Sequence, residues 1–368
     1  MDVIFVLAPG HGHLYPTFGV SRALRDAGHN VTYAMVDEPA LREQVGTEGH
    51  RFVAIPPPLA EQRKIVANGL REDPSLAGIF GALAPPAVAA LTGLVAETGA
   101  RLVLHDMASF AAPLAAALCG VTSAHFGVGP SFPDDAYDAG GAMAPMWEQW
   151  GMRPDELAGM FGRAYFDPFP PSLGNPARSL AVPCFPYQPV PLATKAKRPS
   201  VDLPRPPWVW VTLGTVFNAN VVAWARLADE LRSVGADLVA TVGNGVDLTG
   251  GPPLPPNFTV VPFAPAQVLL EGALAVLCHA GAGTVLGALR YGLPLVCWPQ
   301  GADQFHNARE CEAAGASLTM KDPAGAAQAL RSVLEDEQYR LAARRLREEI
   351  LAMPSPAECA AVLEELAQ

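Results

Sequence analysis

Apolar runs alternate with helical patterns along most of the chain. Val3–Leu7 is a continuous apolar run of strand length, and Pro16 to Ala27 has helical spacing, with Gly28 in the C-cap position. Val31–Val36 reads as a second strand. Arg101–His105 reads as a strand, followed by a helix through Ala111–Leu118 that stops near Gly120, and then by the strand Val121–Phe126. The pattern restarts at Trp208–Leu213 (strand), Val221–Val234 (helix) and Asp237–Val242 (strand). It continues through Ala273–Cys278 (strand), Thr284–Tyr291 (helix) and Leu293–Trp298 (strand). Three amphipathic helices follow, over Ala324–Leu334, Gln338–Leu351 and Ala357–Leu366. Continuously apolar strands, each followed by a helix, predict an α/β protein with parallel sheets covered on both faces.

Between the two halves, Pro168 to Pro207 is dense in proline, with PFPPSLGNP and DLPRPP flanking the charged TKAKR. Helix interiors and central strands tolerate proline poorly, so this region reads as a crossing between domains. At 368 residues the chain also exceeds the size at which single cores split. The expected organisation is a first Rossmann-like domain over 1–190, a Pro-rich linker over 191–207 and a second Rossmann-like domain over 208–350. Residues 351–368 are expected to form a helix packing back on the first domain. Two such domains place a ligand in the cleft between them.

Composition narrows the partners. Lys and Arg total 25 against 36 Asp and Glu, a net charge of -11, which argues against a nucleic-acid partner. A local phosphate site survives that argument, because helix N-termini bind anions without basic side chains. MDVIFVLAPG lacks a basic leader segment, and no uninterrupted apolar stretch of 18 residues is found, so no membrane span is expected. The six cysteines are scattered without a CxxC, as in a reduced, cytoplasmic protein.

Two stretches carry candidate chemistry. In LAVLCHAGAGTVLGALRYGLPLVCWPQGADQFHNA, Leu274 to Ala308, a strand ends at His279, glycines 281 and 283 allow a tight turn, and a helix begins near Thr284. The N–H groups of that first turn suit a diphosphate, and His279 can donate to a phosphate oxygen. Taken alone, such a turn is equally a plain strand-to-helix connection. Asp303 and Gln304 follow the next strand, and a carboxylate beside an amide suits sugar hydroxyls. Asp303 by itself is equally a helix N-cap. The other stretch is LAPGHGHLYP, Leu7 to Pro16, with two histidines and two glycines after the first strand.

HAGAGT, the Gly292–Pro294 turn and PQ..DQ..NA together resemble the donor-binding signature of family 1 nucleotide-sugar glycosyltransferases of the GT-B fold. The similarity is to the type with which actinomycetes decorate natural products. It extends to APGHGHLYP and LVLHDMASF in the first half. The resemblance implies two Rossmann-like domains facing across a cleft, the acceptor on the first and the donor on the second. It also implies an inverting single displacement in which a base deprotonates the acceptor hydroxyl. The position of the base is His13, while His11 sits where relatives have other polar residues, and Asp106 matches the aspartate that pairs with the base. Physical chemistry agrees: His13 lies in a loop entering a helix near Pro16, where the dipole disfavours imidazolium. Asp106 at a strand end can accept the Nδ1 proton, although alone it would equally cap a helix starting near Ser109.

The same resemblance assigns donor contacts to Gly12, Gly214, Thr215, His279, Gly281, Ala282, Gly283 and Thr284, and sugar contacts to Asp303 and Gln304. Phe263 takes the place of the nucleobase-stacking tryptophan; Ala266 stands where a glutamine is usual, and Gln267 comes one place late. The ribose-binding acid of plant relatives is missing, with Gly287 in its region, which favours a TDP-deoxysugar over a UDP-sugar. No cofactor or metal is expected: Asp-x-Asp beside an apolar strand is absent, and Glu335-Asp336-Glu337 reads as a solvated turn. Met107, Phe110, Met143 and Trp147 are candidate acceptor contacts for a flat polyketide or aromatic aglycone, or a glycosylated intermediate. Ordinary packing accounts equally for any one of them. Pro56 to Ala100 reads as a trimmed acceptor loop. The competing readings are a sugar-nucleotide epimerase of the same fold and a catalytically silent binding or activator protein. A homodimer is compatible with the sequence, and so is C- rather than O-glycosylation.

Overall fold

The continuous apolar runs become parallel strands in both halves, because each is buried on both faces. The computed structural model describes residues 1–72, 75–132, 143–153, 156–190, 203–214, 221–243, 246, 248 and 253–368. These divide into two α/β units: Met1–Pro168, Asn175–Gln188 and Pro354–Gln368 form the first, and Phe169–Gly174 with Pro189–Met353 the second. Residues 191–202 of the expected linker lie outside the described residues.

The first unit contains β1 (Asp2–Val6), β2 (Asn30–Met35), β3 (Arg51–Ala54), β4 (Leu102–His105), β5 (Thr122–Phe126), β6 (Tyr165–Asp167) and β7 (Cys184–Pro186). They form one seven-stranded sheet in the order β3-β2-β1-β4-β5-β6-β7, every pair parallel. The order reverses direction between β1 and β4, and in open α/β sheets ligands gather outside the carboxyl ends of strands at such a point. Val6 is in register with His105, so the chain leaves β1 at Leu7 and β4 at Asp106 side by side.

The proline-rich stretch is not wholly a crossing. β7 lies within it at the sheet edge, where a missing N–H is tolerated. Phe169 and Leu173 are buried in the core of the second unit. Pro56–Ala100 also departs from the trimmed loop expected, since it folds into the helices Leu59–Glu72, Leu76–Phe80 and Ala84–Thr98. On length and composition alone the run Leu76–Thr98 could cross a membrane, although Gly78, Gly81, Pro85, Pro86 and Gly93 interrupt it. Here a 3-10 turn over Gly81–Leu83 breaks it, and Val88, Leu91, Leu94 and Val95 are buried in the first unit's core. The helix Pro356–Leu366 begins with a capping box between Ser355 and Glu358 and packs on the helix Phe18–Asp26 of the same unit.

The second unit repeats the plan with β8 (Trp208–Thr212), β9 (Asp237–Thr241), β10 (Phe258–Val261), β11 (Ala273–Cys278), β12 (Leu295–Cys297) and β13 (Ser317–Thr319). Its six parallel strands run β10-β9-β8-β11-β12-β13, so the reversal lies between β8 and β11. Thr212 pairs with Cys278, which brings Gly214 and His279 out at the same sheet end. All six cysteines are free thiols.

Candidate active site

In the first unit the reversal point holds a histidine–carboxylate pair. The helix His11–Leu14 starts directly after the loop from β1, so His13 lies inside a short helical turn rather than in the loop expected before Pro16. Its Nδ1 is 2.7 Å from Asp106 Oδ2, with the imidazole part-exposed at 29% and the carboxylate fully buried. The same Oδ2 accepts the Ala8 N–H at 2.8 Å, while Oδ1 accepts the Ala108 N–H at 3.0 Å and the Ser109 hydroxyl at 2.8 Å. Asp106 therefore serves as both turn cap and imidazole partner. Burial would raise its pKa, but the charge and hydrogen bond of His13, with those from Ala8 and Ser109, hold it down to about 2. An ionised carboxylate can only accept, so the proton at this contact sits on Nδ1. Gly12, beside the base, is exposed, and His11 packs edge-on against Tyr15.

The acceptor candidates are less well served. Met143 and Trp147 are each 4% exposed and belong to the apolar core, so they offer packing; Phe110, 2% exposed and part of the same core, also lines a cavity with Ala8 and Ser109. Met107 is partly buried against the same core.

In the second unit the reversal point is built around His279. Gly214 has φ +74, and a Cβ there would lie 2.5 Å from the imidazole; a Cβ at Gly281 would lie 2.4 Å from Nε2. Both glycines are thus required by the ring between them, and Gly214 by its left-handed backbone as well. Burial lowers the His279 pKa to about 4, with the Thr212 backbone acting in the opposite sense, so the ring is neutral at pH 7. Gly281 is the N-cap of the helix Ala282–Arg290, and Thr284 donates its N–H back to the Gly281 carbonyl. Ala282 and Gly283 occupy the first turn, whose N–H groups lie outside the helical ladder. Thr215 lies outside the described residues.

Asp303 and Gln304 divide their labour differently from the sequence expectation. Gln304 is 5% exposed, and its Oε1 accepts the N–H groups of Gln300 at 2.7 Å and Gly301 at 3.2 Å, so it fastens its own loop. Asp303 occupies the N-cap position of the helix Gln304–Ala313 without capping it; its Oδ2 accepts Asn307 Nδ2 at 2.8 Å. Asn307, fully buried, also donates to the Ala280 carbonyl at 2.9 Å. It fixes Asp303 against the His279 turn, a role invisible in the sequence although the residue stands in the quoted motif. Phe263 is 45% exposed, available for stacking, whereas Gln267 donates to Glu271 along its own helix at 2.8 Å. Among the described residues no group of three His, Cys, Asp or Glu side chains could hold a metal.

The crowding at His279 gives a direct expectation. Gly281→Ala, with φ in the ordinary helical-cap range, should cost about 1–3 kcal/mol by overpacking alone. In urea unfolding, adding His279→Ala to that variant should recover most of the loss. Strictly additive losses would show that the ring is not what excludes a side chain at 281.

Comparison with known proteins agrees with this arrangement. Residues 225–366 match the family described as erythromycin biosynthesis protein CIII-like, C-terminal domain. The aclacinomycin-T 2-deoxy-L-fucose transferase of Streptomyces galilaeus is 26% identical over 100% of this chain and 96% of its own length. The glycosyltransferase SnogD from Streptomyces nogalater superposes with a TM-score of 0.83 at 28% identity, covering 100% of both chains. The glycosyltransferase VinC, solved in complex with dTDP, shares the fold at a TM-score of 0.80 and 23% identity, over 100% of this chain and 99% of VinC. With its paired parallel sheets and its match to the EryCIII-like C-terminal domain, the chain has the GT-B fold and is similar along its whole length to actinomycete natural-product glycosyltransferases.

Proposed function

We propose that this glycosyltransferase is an inverting enzyme that moves a deoxysugar from a TDP donor to a hydroxyl of a polyketide or aromatic natural product, with His13 as the general base. The observation that carries it is the 2.7 Å bond between His13 Nδ1 and the buried carboxylate of Asp106. With the proton held on Nδ1, Nε2 takes the proton of the acceptor hydroxyl. The acceptor oxygen forms a bond to the anomeric carbon as the bond from that carbon to the diphosphate oxygen breaks, and TDP leaves. Asp106 stabilises the imidazolium that results.

On the donor side, the first turn of the helix Ala282–Arg290 and the N–H of neutral His279 receive the diphosphate, and Asp303 receives sugar hydroxyls. Charge developing on the leaving group is then met by the helix dipole, without a metal. The deoxysugar transferase among the relatives supports the sugar class, and the missing ribose-binding acid near Gly287 supports thymidine.

The test is incubation with a panel of TDP- and UDP-sugars and hydroxylated polyketide acceptors, followed by mass spectrometry and NMR of the product's anomeric centre. Inverted configuration with release of TDP is expected. Retention, epimerised donor without acceptor consumption, or no transfer from any donor would each overturn it. Phe263→Ala should weaken TDP binding by about tenfold in calorimetry, the scale of one lost base–aromatic stack. Unchanged TDP affinity would remove Phe263 from the donor site.

A further inference from the structure

The donor turn of the second unit holds a backbone conformation that its own residue disfavours. Ala280, between His279 and Gly281, has φ +64, a left-handed conformation that is costly for any residue with a Cβ. It is fully buried, and both of its backbone groups are bonded. Its N–H goes to Cys278 Sγ at 3.4 Å, and its carbonyl accepts Asn307 Nδ2 at 2.9 Å. A strained residue persists only where its surroundings over-determine it. Here they are a neighbouring thiol and one amide from the helix Gln304–Ala313.

That amide is kept for what it donates. The Nδ2 group also donates to Asp303 Oδ2 at 2.8 Å, while Oδ1 is buried without a hydrogen-bond partner. A carbonyl and an ionised carboxylate only accept, so turning the amide over would set oxygen against oxygen at both contacts. An unpaired buried oxygen lowers stability, and an apolar side chain at 307 would avoid it.

The effect of the bond to Ala280 is geometric. The peptide between Ala280 and Gly281 is planar and trans, so its N–H points opposite to its carbonyl. With the carbonyl held on buried Asn307, the Gly281 N–H is turned away from the helix Gln304–Ala313. Gly281 is part-exposed, and among the described residues its N–H has no acceptor.

We infer that Asn307 is a positioning residue of the donor site: by holding Ala280 in its left-handed conformation it aims the Gly281 N–H at the diphosphate. This role rests on the proposed seat of the diphosphate at the helix Ala282–Arg290 and extends that seat by the N-cap N–H. Asn307 acts through the peptide, not on the donor itself. Because the same amide holds Asp303, one side chain sets the diphosphate and the sugar contacts together.

The test is titration of TDP by calorimetry and of thymidine by NMR into full-length wild type, Asn307→Ala and Asn307→Asp. Thymidine lacks the diphosphate and so reports on the remainder of the nucleotide site. Asn307→Ala should weaken TDP binding by about tenfold, the scale of one hydrogen bond to a charged group, and thymidine binding by less than about twofold. Asn307→Asp, of the same size, should weaken TDP at least as much, because a carboxylate cannot donate to the Ala280 carbonyl. Val333→Ala, in the buried core of the same unit, controls for stability alone. It should lower Tm yet leave TDP affinity within about twofold. Unchanged TDP affinity in the Asn307 variants overturns the positioning role. So does an equal loss of TDP and thymidine, or a similar loss of TDP in Val333→Ala, and Asn307 is then purely structural. A wild type that binds no TDP fails differently, since it refutes the diphosphate seat itself.

Discussion

Replacing His13 by alanine is expected to lower kcat for sugar transfer by roughly 10²- to 10⁴-fold, the usual worth of a positioned general base. That corresponds to about 3–5 kcal/mol of barrier. The first unit keeps its fold in this variant, because the imidazole is part-exposed and Asp106 retains bonds from Ala8, Ala108 and Ser109. TDP affinity should stay within about twofold of wild type, since the groups assigned to the diphosphate belong to the second unit. Asp106→Asn should also fall by roughly 10²-fold or more, because an amide no longer fixes the proton on Nδ1 or stabilises imidazolium. The two losses should not add: without the imidazole, Asp106 has nothing to orient. Initial rates at saturating donor, for the two single variants and the double, separate the possibilities. A His13→Ala enzyme keeping more than about a tenth of kcat would sink the assignment. Additive losses would mean that Asp106 acts on something other than His13.

How much of this was legible beforehand follows from burial. The central strands β1, β4, β8 and β11 are covered on both faces, so each left a continuous apolar run. The strands that went unread are β3, β6, β7, β10 and β13, four of them at sheet edges and none longer than four residues. An edge strand half-exposed like Arg51–Ala54, or proline-flanked like Cys184–Pro186, carries no apolar run to find.

The site shows the same divide. His13, Asp106, His279 and the glycines announce themselves, because imidazole, carboxylate and bare backbone are chemically distinctive. Gln304 is ambiguous in sequence because its residue type suits sugar hydroxyls as well as it suits the N–H groups of its own loop, which its Oε1 accepts here. Asn307 was passed over because its partner, the Ala280 carbonyl, is a backbone group 27 residues away. The aromatic and methionine candidates are ambiguous for the opposite reason. Apolar side chains look alike in sequence whether they line a site or fill a core; Met143 and Trp147 fill a core, while Phe110 lies in the core and lines a cavity as well. The helix Leu59–Glu72 stands where the sequence reads as a trimmed loop, and its amphipathic spacing is the signal for it.

Acidification between pH 6.5 and 4 should destabilise the first unit steeply. Behind Asp106, His105 and His125 are both fully buried, their rings 5.7 Å apart. His125 stacks on Phe161 and faces the Ser131 hydroxyl, and His105 lies against the Asp106 carbonyl. Burial pushes His105 down to about 4, with Asp106 opposing; burial and then the neighbouring His105 push His125 down to about 3. Folded pKa values below the unfolded value of about 6.5 mean that the unfolded chain binds the extra protons in this window. Stability is therefore intact above pH 6.5 and falls as pH drops from 6.5 towards 4, by on the order of 3 kcal/mol for His105 alone. His50, depressed to about 4 by burial and Arg25, adds in the same direction. Asp106 contributes later: its depressed pKa gives stability that is present above about 3.8 and lost only as pH falls towards 2. Thermal midpoints of wild type and His105→Asn, measured from pH 7.5 to 4.5, check the source. The asparagine variant starts less stable but should lose less per unit of acidification, because one proton has been removed from the linkage. Parallel curves would place the acid sensitivity elsewhere, and a wild-type midpoint flat across the window would refute it.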